Sequence, residues 1–189
     1  MRAAGKLVPM VEMTIYGVSF DLVGKQPIVL LKTAEGNRYL PIWIGHPEAA
    51  AILMKLQGTS APRPLTHDLL VNMLGELDVE IVRVTVTELR ENTFHASITI
   101  AQNGAEVEID SRSSDAIAIA VRAQVPIFAA DEVIEESAIE MEGDEVNEEE
   151  IVDEFKRFLD KVSAEDFIEA EVEGDVEDIE TEPDDEEDR

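Results

Sequence analysis

Cysteine is absent from all 189 residues, which excludes disulfides, a thiolate nucleophile and any Cys-ligated zinc site, and suits a reducing compartment. Aromatic side chains are scarce, with one Trp, two Tyr and six Phe. Trp43 and Tyr39 alternate in a strand that reads as core, so neither is expected to stack on a nucleic-acid base. No apolar run approaches the ~18 residues of a membrane span. The opening MRAAGKLVPMVEM has two basic residues but lacks the continuous apolar centre of a signal peptide. A Gly-rich phosphate loop is also missing. These absences leave a soluble, cytoplasmic protein as the expectation.

Charge is plentiful but uneven. The net charge of −28 divides into −3 for residues 1–130, with 11 Lys/Arg against 14 Asp/Glu, and −25 for residues 131–189, with 4 against 29. A near-neutral body can still carry a local basic patch, so the overall acidity does not exclude a nucleic-acid partner.

Apolar alternation predicts strands over residues 11–20, 27–32, 38–44, 79–88, 94–101 and 105–110. Asn103-Gly104 is a tight-hairpin signal, and Glu35-Gly36-Asn37 turns the second strand into the third. Helices follow each group of strands. Pro47 suits a first helical position and Gly58 a stop, which makes PEAAAILMKLQG one helix. A second runs from Thr66, read as its cap, to about Glu76, with Leu69, Leu70, Met73, Leu74 and Leu77 as a stripe facing the core. The third is SDAIAIAVRA, capped by Ser113 or Ser114. Asn147 opens a capping box for a fourth, whose stripe is Ile151, Phe155, Phe158, Leu159 and Val162. Residues 1–140 form one domain, residues 141–166 an amphipathic helical extension, and residues 167–189 an acidic segment too poor in apolar residues to fold alone. The order of elements argues an α+β domain on a mainly antiparallel sheet.

A weak internal echo lies inside that domain. EAAAILMK from Glu48 and DAIAIAVR from Asp115 stand 67 residues apart, each following a strand hairpin. A duplicated hairpin-helix unit explains it, and coincidence through shared amphipathic needs explains it equally well. The alanines of both helices allow close approach by a sheet, another helix or a second subunit, so a homo-oligomer is expected.

Two polar segments carry candidate chemistry. In RPLTHDLL, Thr66 and Asp68 have structural uses at a helix start, whereas His67 sits at the edge of the apolar stripe. In EVEIDSRSSDAIAIAVR, Val107 and Ile109 face the core. Asp110, Arg112, three serines and Asp115 then converge at a helix N-terminus, where phosphate or a divalent cation could bind. The same residues could instead cap the helix, with Arg112 pairing Asp110.

YLPIWIGHPEAAAILMKLQG, RPLTHDLL, IDSRSSDAIAIAVR and PIF occur in the order and spacing of the bifunctional nuclease domain family, which the chain resembles over residues 10–140. The resemblance implies nuclease action on RNA and DNA. Its motifs cover His67 and Asp68, then Asp110, Arg112, Ser114 and Asp115, with Ser113 where many relatives carry proline. With nuclease action implied, the chemistry that phosphodiester cleavage needs gives a metal-assisted phosphodiesterase as the expected enzyme. His67, Asp68 and Arg112 are its expected catalytic residues, Arg63 and Ser114 bind phosphate, and Asp110 and Asp115 hold Mg²⁺ or Mn²⁺. The competing expectation is a non-catalytic oligomeric or regulatory protein in which these residues only cap helices.

Overall fold

The computed structural model describes residues 9–21, 26–59 and 61–140. The expected helix at residues 147–162 and the acidic segment after residue 166 lie outside the described residues.

Two three-stranded meanders are each followed by a helix. β1 (Met10–Asp21), β2 (Gln26–Thr33) and β3 (Arg38–Trp43) lead to α1 (His46–Leu56). α2 (Thr66–Glu76) then precedes β4 (Glu80–Arg90), β5 (Thr93–Gln102) and β6 (Ala105–Arg112), which lead to α3 (Ser113–Ala123). The chain continues through β7 (Ile127–Ala130), α4 (Asp131–Ser137) and β8 (Ile139–Glu140). Asn103 and Gly104 both take positive φ in the β5–β6 turn, as a two-residue hairpin demands. The β4–β5 turn puts Glu91 and Asn92 in the same conformation without a glycine.

All eight strands join in one sheet of order β6-β5-β4-β7-β1-β2-β3-β8. Every pairing is antiparallel except β4 with β7. β7 joins the two meanders by pairing with β1 on one side and β4 on the other. The pattern missed it, because four residues of IFAA are too few to show a period. α4 and β8 were missed for the same reason of length.

One face of the sheet supplies the core. Rows such as Val18–Val29–Ile42 and Ile15–Leu31–Leu40 cross the first meander, and Val84–Ile98–Ile109 crosses the second. α1 and α3 pack on each other above this face, burying Ala49, Ala51, Ile52, Ala116, Ile117, Ala118 and Ala120. The alanines expected to admit a second subunit are therefore used inside this one.

Three expectations about burial change. α2 has no buried residue, and of its apolar side chains only Val71 and Leu74 pack on the core. Val107 and Ile109 lie on the core side of β6, but as the outermost strand β6 extends beyond the helical cover and both are exposed. Trp43 is 52% exposed rather than packed, because it ends β3 with its side chain opposite buried Ile42 and Ile44. Among the described residues no helix is long and apolar enough to cross a membrane.

Candidate functional site at the start of three helices

α1 and α3 each begin where an outer strand of a meander ends, and both starts lie on the helix-covered side of the sheet. Gly45 is the N-cap of α1 and Arg112 that of α3, both in extended backbone. The expected serine caps do not form. Ser113 and Ser114 are already helical and buried, and no side chain caps α3. α2 likewise starts one residue earlier than a Thr66 cap requires. Leu65 is the N-cap, and its backbone N–H donates to Asp68 Oδ2 at 3.0 Å.

Asp115, in the first turn of α3, is the centre of the cluster. His67 Nε2 lies 3.0 Å from Asp115 Oδ1. Arg112 Nε donates to Asp115 Oδ2 at 2.7 Å and Nη2 to Oδ1 at 3.1 Å, a two-point grip of the kind guanidinium and carboxylate favour. Arg112 Nη2 also donates to Glu48 Oε1 on α1 at 2.8 Å. One guanidinium thus bridges acids in the first turns of two helices, while His67 arrives from the third. Among the described residues Arg112 Nη1 and His67 Nδ1 have no hydrogen-bond partner, and the Arg112 side chain is 68% exposed. Burial pushes the Asp115 carboxyl up. Hydrogen bonds from Arg112 and His67, and their charges, outweigh it and hold the group below the ordinary carboxylate value.

Asp68 belongs to a second cluster. Its Oδ1 accepts from Arg122 Nε at 2.7 Å, and Arg122 also donates to the carbonyls of Ala118 and Ala51. The Arg122 side chain is almost wholly buried, and its bonds to Asp68 and to the Ala51 carbonyl tie the start of α2 and the middle of α1 to the end of α3. Burial raises the Asp68 carboxyl and the Arg122 and Leu65 hydrogen bonds lower it further, with a net shift downward.

Of the residues expected from sequence, His67, Arg112 and Asp115 come together. Asp68 sits beside them on α2 but turns to Arg122. Asp110 pairs in register with Ser97, so alternation puts it on the face opposite Ile109 and Ser111, where it is exposed and outside the cluster. Arg112 bonds Asp115 and Glu48, not Asp110. Arg63 is exposed three residues before α2 and takes no part either. Both Asp115 oxygens are already held by cationic or N–H donors, and among the described residues no group of three His, Cys, Asp or Glu is arranged to hold a metal. Asp110 and Asp115 therefore do not form a ready donor set for Mg²⁺ or Mn²⁺. Sequence reasoning did not assign Glu48 or Arg122 to a site. Their signal was the helix echo itself, in which Glu48 stands where Asp115 stands and Arg122 is the closing base.

Fold and cluster define an α+β domain in which one carboxylate orients a histidine and an exposed arginine. The profile of the bifunctional nuclease domain matches residues 29–142, and the chain belongs to that family. The Mycobacterium tuberculosis protein Rv1829 is 41% identical over 163 residues, covering 82% of this chain and 97% of that protein. Bifunctional nuclease 1 of Oryza sativa subsp. japonica is 29% identical over 103 residues, 52% of this chain and 31% of the plant protein. Bifunctional nuclease 1 of Arabidopsis thaliana is 29% identical over 105 residues, 53% of this chain and 32% of its own length. The cluster residues Glu48, His67, Asp68, Arg112, Asp115 and Arg122 all fall inside the matched 29–142.

Proposed function

We propose that this chain hydrolyses phosphodiester bonds of RNA and DNA at the junction of α1, α2 and α3. The observation that carries this reading is the 3.0 Å contact of His67 with Asp115, on a carboxylate that Arg112 also grips. If Nε2–H donates to Asp115, Nδ1 keeps its lone pair, which is the acceptor a general base needs. In the reaction, Nδ1 takes a proton from water as the water oxygen bonds to phosphorus. The ester P–O bond then breaks, and the departing oxygen takes its proton from solvent. Asp115 offsets the charge that His67 gains, and Arg112, with Nη1 free, binds a non-bridging phosphoryl oxygen and stabilises the charge that builds there. Contacts confined to phosphate carry no sequence information and ignore the 2′-OH, which suits action on both nucleic acids.

The test is cleavage of labelled single- and double-stranded RNA and DNA by purified protein, with Mg²⁺, with Mn²⁺ and with EDTA. A general base contributes roughly 10²–10⁴ in rate. His67→Ala and Asp115→Asn should each lose that order of activity, while Glu108→Gln, exposed on the outer strand, should keep it. Activity that persists in both site variants would belong to a contaminant or to another site. Abolition by EDTA would restore the expected cation, assembled with substrate rather than on Asp110 and Asp115. The second reading, a non-catalytic interaction or regulatory protein, is favoured by the uncovered apolar face of α2. No cleavage of any substrate by the intact protein would select it.

A further inference from the structure

α2 is apolar on the side where it should be wet. Leu69, Leu70, Met73 and Leu77 are 52%, 41%, 53% and 64% exposed, although the helix already packs on α3 and β4 through its other side. Leu69, Met73 and Leu77 are spaced four apart, which aligns them in a single ridge of the kind that packs into the groove of another helix. The ridge is also symmetric about Met73. We infer that this face is a homodimer interface, with α2 packed antiparallel on α2 of a second copy about a two-fold axis at Met73.

Three observations select a second copy. A two-fold axis at Met73 sets Leu69 of each helix against Leu77 of the other, so one ridge serves both sides of an isologous contact. Charge agrees with the antiparallel direction. α2 has no base in its last turn, where it carries Glu76 with Asp78 just beyond, so acids stand at its negative end. An antiparallel neighbour brings the start of its own α2 beside them, where Asp68 is already neutralised by Arg122 and leaves the positive end of the helix dipole. The face also continues past the helix. An eleven-residue helix is only ~16 Å long, little for the ~800 Å² per partner of a stable interface. However, α2 leads directly into β4, whose Ile81 begins the row Ile81–Ile100–Val107 that ends exposed on β6, with Ile109 exposed beside it.

Residues 147–162 of the same chain are the competing occupant. The family match over 29–142 contains all of α2 and stops before them. The described chain ends in β8, at the sheet edge opposite β6. The inference is independent of the nuclease reading, since neither His67 nor Asp115 forms part of the ridge.

The test is the solution mass of the full chain by sedimentation equilibrium across a concentration series. Twice the chain mass is expected, and Met73→Arg should shift it to the single-chain mass with unchanged circular dichroism. Because the chain has no cysteine, Met73→Cys offers a reading that does not depend on how the arginine variant folds. Oxidation should yield a disulfide-linked dimer from Met73→Cys but not from Leu69→Cys, whose copies would stand ~12 Å apart along the antiparallel helices. A single-chain mass at every concentration would overturn the inference, as would equal cross-linking at both positions. So would a dimer that forms only when Phe155→Ser and Phe158→Ser remove the apolar stripe of residues 147–162, since α2 would then be covered by its own chain.

Discussion

Gly45 and Arg112 hold equivalent places, each the N-cap of a helix that follows a meander, and each stands three residues before the acid that meets the guanidinium. Only one of the two has a side chain. A Cβ at Gly45 would collide with Glu48 Oε2, so the missing side chain is what lets Glu48 fold back and reach Arg112. The φ of −72° at Gly45 is open to any residue, so Gly45→Ala should fold normally, with a change in stability below about 1 kcal/mol. Its methyl group should push the flexible Glu48 carboxylate off Arg112, while Asp115 keeps its two-point hold. One N–H of the guanidinium is then released to substrate. Exposed ion pairs are worth ~0.2–1 kcal/mol, so oligonucleotide affinity should rise by up to about fivefold. Glu48→Gln should act in the same direction. A binding titration with either variant checks this, and weaker binding would mean that Glu48 positions Arg112 rather than competing for it.

α2 is held mainly through its polar start, by Asp68 on Arg122 and by His67 on Asp115, with only Val71 and Leu74 packed below. Both carboxyls are held below the ordinary value of 3.8 by these partners, against the upward pull of burial. As pH falls toward that value the unfolded chain takes up protons that the folded one still refuses. The stabilisation is therefore present above 3.8 and is lost as pH falls through the lower folded values. Urea midpoints from about pH 6 to about pH 3 should show this fall, and Asp68→Asn should flatten part of it. An unchanged slope would mean that Asp68 titrates alike in both states. The boundaries of α2 were legible in the sequence at Thr66 and Glu76, because a helix start and a 3.6-residue period are local signals. Its orientation was not legible. An apolar stripe marks a face that wants cover, and the same stripe serves a helix on its own core or one that meets another chain.

Across the molecule, residues 1–130 are close to neutral and the acids crowd the rest of the chain. After residue 142 there are 23 acids against four bases, and if nucleic acid binds at Arg112 this charge should compete with it for the cationic edge. Truncation after residue 166 leaves every described element in place. It should raise nucleic-acid affinity at low salt, with the gain shrinking as the Debye length shortens to ~8 Å at physiological strength. Equal affinity of both forms at every salt concentration would leave the tail a role in solubility alone. The sequence by itself determined the six longer strands, three of the four described helices, the tight β5–β6 turn and the family, since periodicity, turn chemistry and motif order all act over a few residues. It also held the two meander-helix units, which the helix echo suggested and the chain order repeats. Only tertiary structure decided that β7 would join the meanders, that Asp115 would take Arg112 and His67, 48 residues apart from it in sequence, and that Asp110 would face away. These outcomes rest on strand order and sheet face, which are set by pairing between distant segments, and the pairing partner of a strand is not written in the strand.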